Sequence, residues 1–312
     1  MARHHYVSKF YYKNFVYSTE DPLVYIMKEG KISNRRRSSS QIGYEEDYNT
    51  PDQEQTQSQL ETRYAKILRE LIEAVDHGEY NASIVDKFIK FVSFMLGNNI
   101  FVRENLIPKV YTINKIKQNG VDVDTKIEED SGYSGKFDWS INFSSCFYRE
   151  FQNWMWEFIR LDPSCRGHFI TSDNPVSIFN PENVFTPLDV KLKYDESKTE
   201  VAGPNISNGR MNIIVTVPLV NISFRQDVVM AFPVTPRLCL IGFSCPERRN
   251  KFKRQSKNMF IEFINVMTLY QCNKAVYSHS KELLFHTKVG LLDFQNYCAE
   301  NNLVPSFEVG IQ

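Results

Sequence analysis

Hydrophobic positions recur along this chain with two different periods, and the change from one to the other marks its layout. From residue 59, Leu60, Tyr64, Ile67, Leu68, Leu71 and Val75 return at three- and four-residue steps, which predicts a helix with one apolar face. HGEYNAS interrupts it. Between 82 and 97, Ile84, Phe88, Phe91, Val92 and Met95 line one side. Val85, Ile89, Phe94 and Leu96 widen that stripe until the predicted helix must be nearly enclosed. Two such helices with a short break between them predict an antiparallel pair. A third helix is predicted over 142–161 from Phe147, Phe151, Trp154, Met155 and Phe158, after a glycine-containing loop, EEDSGYSGK.

Elsewhere the pattern shortens. LVYIMKEGKIS reads as two strands flanking a turn at Glu29-Gly30, and the polar stretch 41–58 with Gly43 and Pro51 reads as an exposed connection. Beyond Pro163 come β-rich runs: HFITS at 168–172, NIIVTVPLVNISF from 212, VVMAF at 228 and RLCLIGF at 237. Helices are predicted again from about 252 to 278 and from about 281 to 299. Helices, then strands, then helices predict an α+β fold: an N-terminal β-hairpin and helical layer, a central mainly antiparallel sheet, and C-terminal helices. One domain over 1–312 is expected, with an internal division into a mainly helical 1–162 and a sheet-plus-helix 163–312. No G-x-G-x-x-G or P-loop element occurs, so the dinucleotide-binding and P-loop classes are excluded.

With 312 residues and 42% hydrophobic content the chain can bury a large core. Lys plus Arg and Asp plus Glu are both 37, so no net field draws it to a polyanion. Any nucleic-acid or nucleotide contact then rests on local basic patches, of which there are two: NRRRSSS at 34–40 and PERRNKFKRQSK at 246–257. No apolar run reaches membrane-span length and the first residues do not form a signal segment, so a cytoplasmic protein without a membrane partner is expected. The six cysteines are scattered and read as small buried hydrophobes in a reducing compartment. Cys245, close to Arg248 and Arg249, is the candidate for a reactive thiol.

Candidate chemistry gathers in a few places. RHHYVSKFYYKNF at 3–15 places His4 and His5 among aromatic rings, and an extended backbone would send the two imidazoles to opposite sides. Imidazole suits proton transfer near neutral pH and metal ligation, whereas Tyr6, Phe10, Tyr11 and Phe15 suit a core plug. HFITSDNPV runs a short strand into Asp173 and Asn174, a carboxylate and an amide on a stiff turn that is equally explained by local side-chain to backbone bonds. Glu61 falls at the border of its helix's apolar stripe, where it can reach a cleft or pair with a neighbouring cation. Arg103, in NNIFVREN, is either an anion-binding fork or the basic end of a helix.

HHYVSKFYYKNF, IGYEEDYN with the following LETRYAKILREL, HFITSDNPV, FPVTPRLCL and NVMTLYQCNKAVYS together resemble an uncharacterised, mostly bacterial family of unknown function. Its members open with an H-H-Y-V-P-x-F-Y-L-x-x-F-like motif and carry a central T-S-D-N-P motif followed by a P-L-S-P-like turn. Ser8 stands where the family usually has proline, and Val234-Thr235 depart within the turn motif. The resemblance singles out positions without supplying a reaction.

Two functions are compatible with these positions. In a cytosolic hydrolase of phosphodiester or phosphoanhydride bonds, nuclease-like, His4 or His5 would be the general acid/base. Asp173 and Glu61 would be base or metal-binding carboxylates, a divalent metal being compatible though not required, and Asn174 with Arg103 would hold substrate. In a non-catalytic sensor or partner-binding protein the same side chains would form a buried polar network. Both require the chain's beginning to fold against the SDNP corner.

Overall fold

The computed structural model describes residues 3–16, 23–46, 49–99, 102, 111–118, 121–129, 136–165, 167–180, 189–194, 197, 200–207, 210–216, 219–224, 227–252, 257–300 and 310–311. The chain begins with β1 (Arg3–His5), α1 (Lys9–Tyr12), β2 (Leu23–Lys28), β3 (Lys31–Ile32), β4 (Arg37–Ser38) and β5 (Tyr44–Glu46). Two helices follow, α2 (Pro51–His77) and α3 (Ala82–Gly97), then β6 (Tyr111–Gln118), β7 (Val121–Glu129), α4 (Lys136–Phe151) and β8 (Met155–Arg160). The next strands are β9 (Thr171–Ser172), β10 (Ser177–Phe179), β11 (Asp189–Tyr194), β12 (Glu200–Ser207), β13 (Arg210–Thr216), β14 (Leu219–Phe224), β15 (Val229–Thr235) and β16 (Leu238–Phe243). The chain closes with α5 (Pro246–Phe252), α6 (Lys257–Tyr270), β17 (Val276–Ser278), α7 (Lys281–Glu300) and β18 (Gly310–Ile311).

This is the expected α+β class, and among the described residues the strand pairing is antiparallel except for the parallel β11–β18 pair. Among the described residues the strands are divided over several small sheets rather than one. The order β3-β2-β17-β9, with β4 also on β2, makes one; β10-β15-β16-β8 makes another. The hairpin β2–β3 turns at Glu29 and Gly30, both in the left-handed region (φ 51° and 70°), as its two-residue loop requires.

The β15–β16 hairpin explains why its two runs are apolar without alternation. Met230, Phe232, Leu238 and Leu240 face the largest core cluster, while Val229, Ala231, Cys239 and Ile241 face a second one against α6. Both faces are covered, so both phases of the strand must be apolar. Phe88 and Phe91 of α3 meet the Phe232 ring edge-on at 5.8 and 5.9 Å, so the largest cluster draws on both halves of the chain.

Several expected boundaries move, each for a local reason. The polar stretch 41–58 is not a loop throughout: it holds β5, and α2 starts at Pro51. Thr50 and Gln53 form a reciprocal capping box with proline at the first helical position. The third helix ends at Phe151 rather than near 161. The Trp156 indole N–H donates to the Phe151 carbonyl (3.0 Å), and Met155–Arg160 continues as β8 against Phe243–Leu238. The long helix expected from 252 to 278 ends at Tyr270, and Val276–Ser278 becomes a strand between β2 and β9.

Candidate functional site

The N-terminal segment and the SDNP corner do meet. β1 pairs with β5 so that His5 lies across from Tyr44 and His4 across from Glu45. The His5 and Tyr44 rings are 5.8 Å apart and His5 is buried. The side chain of His4 lies outside the described residues, as does Arg103. The Tyr6 amide donates to the Gly43 carbonyl (3.2 Å). Gly43 has φ 64°, and a Cβ there would come within 2.6 Å of the Tyr12 ring and hydroxyl, so the two motifs seat only over glycine.

From His5 a line of hydrogen bonds runs to α2. Gln57 Nε2 donates to the His5 carbonyl (2.5 Å) and to Glu61 Oε1 (3.3 Å), while Gln57 Oε1 accepts from Asn49 Nδ2 (2.8 Å). Burial pushes the Glu61 carboxyl above its usual range; hydrogen bonds from Gln57 and Ser8 oppose this without cancelling it. Glu61 therefore joins the polar network around His5 through Gln57 and Ser8.

A second line runs to the sheet. Asn98, buried at the end of α3, donates to the Tyr6 carbonyl (3.0 Å), and its neighbour Asn99 donates to Asn174 Oδ1 (2.5 Å). Asn273 Nδ2 donates to Asn99 Oδ1 (3.2 Å), and Asn174 Nδ2 donates to the Gln271 carbonyl (2.9 Å). Tyr11 spans the same gap, its hydroxyl 2.7 Å from both Thr171 Oγ1 and the Pro233 carbonyl. Tyr12 meets Tyr277 edge to face at 5.0 Å. Tyrosines and asparagines are the bridge between the two motifs.

Asp173 is the end of this line, and it is fully buried. Its Oδ1 accepts from the Asn273 amide (2.9 Å), and Oδ2 accepts from the Lys274 (2.6 Å) and Ala275 (3.2 Å) amides. Its own amide donates to the Ala275 carbonyl (3.0 Å). The carboxylate thus holds the turn that stops α6 and starts β17. Desolvation raises its pKa to about 6, outweighing the three amides that favour the ion. Its charge adds to burial in raising the Tyr12 and Tyr277 hydroxyls and in pushing the Cys272 thiol up to about 12.

Asn174 is committed too, with its amide and carbonyl both bonded to Ser172 Oγ (3.0 and 2.6 Å), the side-chain to backbone turn that the tetrapeptide pattern allowed. Burial raises the Cys245 thiol pKa, a hydrogen bond from the Arg248 backbone opposing it, which accords with reading the cysteines as structural and not with an activated thiol. In the basic run 246–257, Arg249 is ion-paired with Glu157, and Arg248 lies 3.9 Å from Asp227. Among the described residues no cluster of three or more His, Cys, Asp or Glu side chains could hold a metal. A cavity of about 280 Å³ lies between α2, α3 and α4, and one of about 690 Å³ between α6, α7 and the 164–167 loop. Neither is lined by His5, Glu61, Asp173 or Asn174.

The segment from β1 to the SDNP turn is also what a family model recognises: one described as a protein of unknown function (DUF4238) matches residues 3–186. The chain belongs to this family. The DUF4238 match includes His4, His5, Glu61, Arg103, Asp173 and Asn174 but not Cys245 or the basic run 246–257. No curated protein and no solved structure matches the chain significantly. Among the described residues no helix is long and apolar enough to cross a membrane.

Residue patterns did not single out the amides that join this DUF4238 site: Gln57, Asn98, Asn99, Gln271 and Asn273. Their signal was present in the adjacent asparagines that follow α3 and in the QCNK turn after α6. Amides in such places also serve as ordinary helix stops, so only their partners distinguish them.

Proposed function

We propose that this protein is a non-catalytic sensor or partner-binding protein, whose HHY and SDNP motifs form a polar seam locking the N-terminal segment onto the sheet. The observation that carries this reading is Asp173, fully buried with both carboxylate oxygens taken up by backbone amides. A general base or metal ligand must present an oxygen to substrate or ion, and these oxygens are spent on a turn. Six free cysteines support a reducing, cytoplasmic setting. The test compares Asp173→Asn and His5→Ala with the parent, by chemical denaturation and by incubation with RNA, DNA and nucleotides under several divalent ions. A shared drop in midpoint, with no turnover by the parent, is expected. Turnover by the parent that both variants lose at unchanged midpoint overturns the proposal.

A hydrolase of phosphodiester or phosphoanhydride bonds is the second reading, favoured by Glu61. Its burial-raised carboxyl is held ready as a proton donor beside the strand that carries His4 and His5. In that case Asp173 positions rather than reacts, Asn174 and Arg103 meet substrate, and nucleic acid or nucleotide approaches over the basic runs. Glu61→Gln and His4→Ala would then abolish turnover without loss of stability.

A further inference from the structure

The helix α7 is apolar on two faces, and the described fold covers one of them. Leu284, Thr287, Leu291, Phe294 and Cys298 recur at three- and four-residue steps and turn inward. Leu284 joins the core cluster of Met27 and Ile170, while Leu291 and Phe294 pack on the cluster of α6. One position further on, Phe285, Val289, Leu292, Asn296 and Ala299 repeat the same steps on the outer side, and all five are exposed. Phe285, Val289 and Leu292 are 57%, 40% and 47% exposed. Among the described residues the other exposed large hydrophobics are Tyr80 and Tyr297, the latter also on α7. An apolar row left in water, on a helix that its opposite face already holds in place, marks a contact surface.

We infer that the outer row of α7 pairs with the same row of a second copy of this chain, as a parallel two-stranded coiled coil. The spacing is that of a heptad, with Phe285, Leu292 and Ala299 at d and Val289 and Asn296 at a. The flanks carry opposite charge: Lys281 and Lys288 at g on one side, and His286, Asp293 and Glu300 at e on the other. In a parallel pair each g residue meets the e residue five positions further along the other helix, so Lys288 meets Asp293 of the second copy, twice over. Gln295 and Glu300 pair by the same rule. Glu282, at the first a position, already engages His286 of its own helix at 3.6 Å and comes beside Lys281 of the copy. An antiparallel pair would instead set g against g, and the lysine flank would face itself. Asn296 opposite its own counterpart exchanges an amide hydrogen bond only when the two helices run parallel and in register. The Gly30 turn lies along the Lys288 stem and leaves the a and d positions open. Each of these contacts is completed by the same helix, so the occupant is this chain itself. The surface lies apart from the HHY and SDNP motifs and holds under either reading of them.

The test measures the mass of the full chain by sedimentation equilibrium from about 5 to 500 µM. At 20 residues α7 gives a small contact, so a reversible dimer is expected, with a dissociation constant on the order of 10 µM. Leu292→Glu, at an exposed position, should leave the urea midpoint unchanged and weaken dimerisation at least about tenfold. Lys288→Glu should weaken it as well, and adding Asp293→Lys should restore it, because the exchanged charges still meet g to e. On oxidation Leu292→Cys should crosslink to itself beyond the level of the parent. A parent that stays monomeric throughout, a mass beyond the dimer, or equal dimerisation by Leu292→Glu overturns the inference. So does a charge exchange that restores nothing, or a Leu292→Cys chain that crosslinks to Phe285→Cys in place of itself, the mark of an antiparallel pair.

Discussion

Two ends of one short strand pair carry the protein's clearest ionisable groups, and they are satisfied in opposite ways. At the Asp173 end a buried carboxylate meets backbone amides and nothing further is needed. At the His279 end, one residue past β17, a half-buried imidazole meets the His168 ring, and burial first, then the charges of His168, Arg36 and Arg237, hold it neutral. Burial favours the neutral form at both ends. What differs is whether the neighbourhood favours the charged form, as the three amides do at Asp173, or opposes it, as cationic groups do at His279.

The largest expected effect tests the completed end. Asp173→Ala leaves three backbone amides unpaired and should cost about 3 kcal/mol or more by urea denaturation, releasing the turn between α6 and β17. Tyr11→Phe comes next. It removes a hydroxyl bonded to Thr171 and Pro233 and should cost about 1–2 kcal/mol while the ring keeps its place against Phe232. A loss as large as that of Asp173→Ala would move the anchor of the N-terminal segment from the asparagines to the tyrosine.

The two ends also oppose each other in pH. Asp173 has its folded pKa raised from 3.8 to about 6, so the folded state holds the extra proton and this group's stability contribution falls as pH rises through that window. His279 has its folded pKa lowered from 6.5 to about 4, so its contribution is complete above 6.5 and is lost as pH falls through the same window. The parent should therefore show a shallow net dependence. His279→Gln should expose a decline of stability with rising pH and Asp173→Asn a rise, each on the order of 2 kcal/mol between about pH 4 and 6.5. Parallel profiles for the two variants would break the comparison. The smallest effect belongs to Glu61→Gln, an isosteric change that removes the cost of a half-buried charge; it should leave stability at pH 7 within about 1 kcal/mol, with any change a gain.

Much of the fold was legible because its causes are local. The apolar stripes of α2 and α3, and the Glu29-Gly30 turn, depend on residues within a few positions of one another. Where the reading failed, a distant partner intervened. Trp154, Met155 and Phe158 kept a helical spacing, yet β16 offered Met155 and Phe158 an edge to pair with. Val276–Ser278 continued an apparent helix until β2 and β9 took it as a strand.

The candidate site divides along the same line. That HHY and SDNP are special, and that Asp173 and Asn174 make a turn, follows from residue type and spacing, because capping and Asx geometry are short-range. That Asp173 spends its oxygens on amides about a hundred positions away, and that the His168 and His279 rings meet, depends on long-range folding. Burial and charge neighbourhood are set by whichever segments pack on a group, and no span of residues around it encodes them.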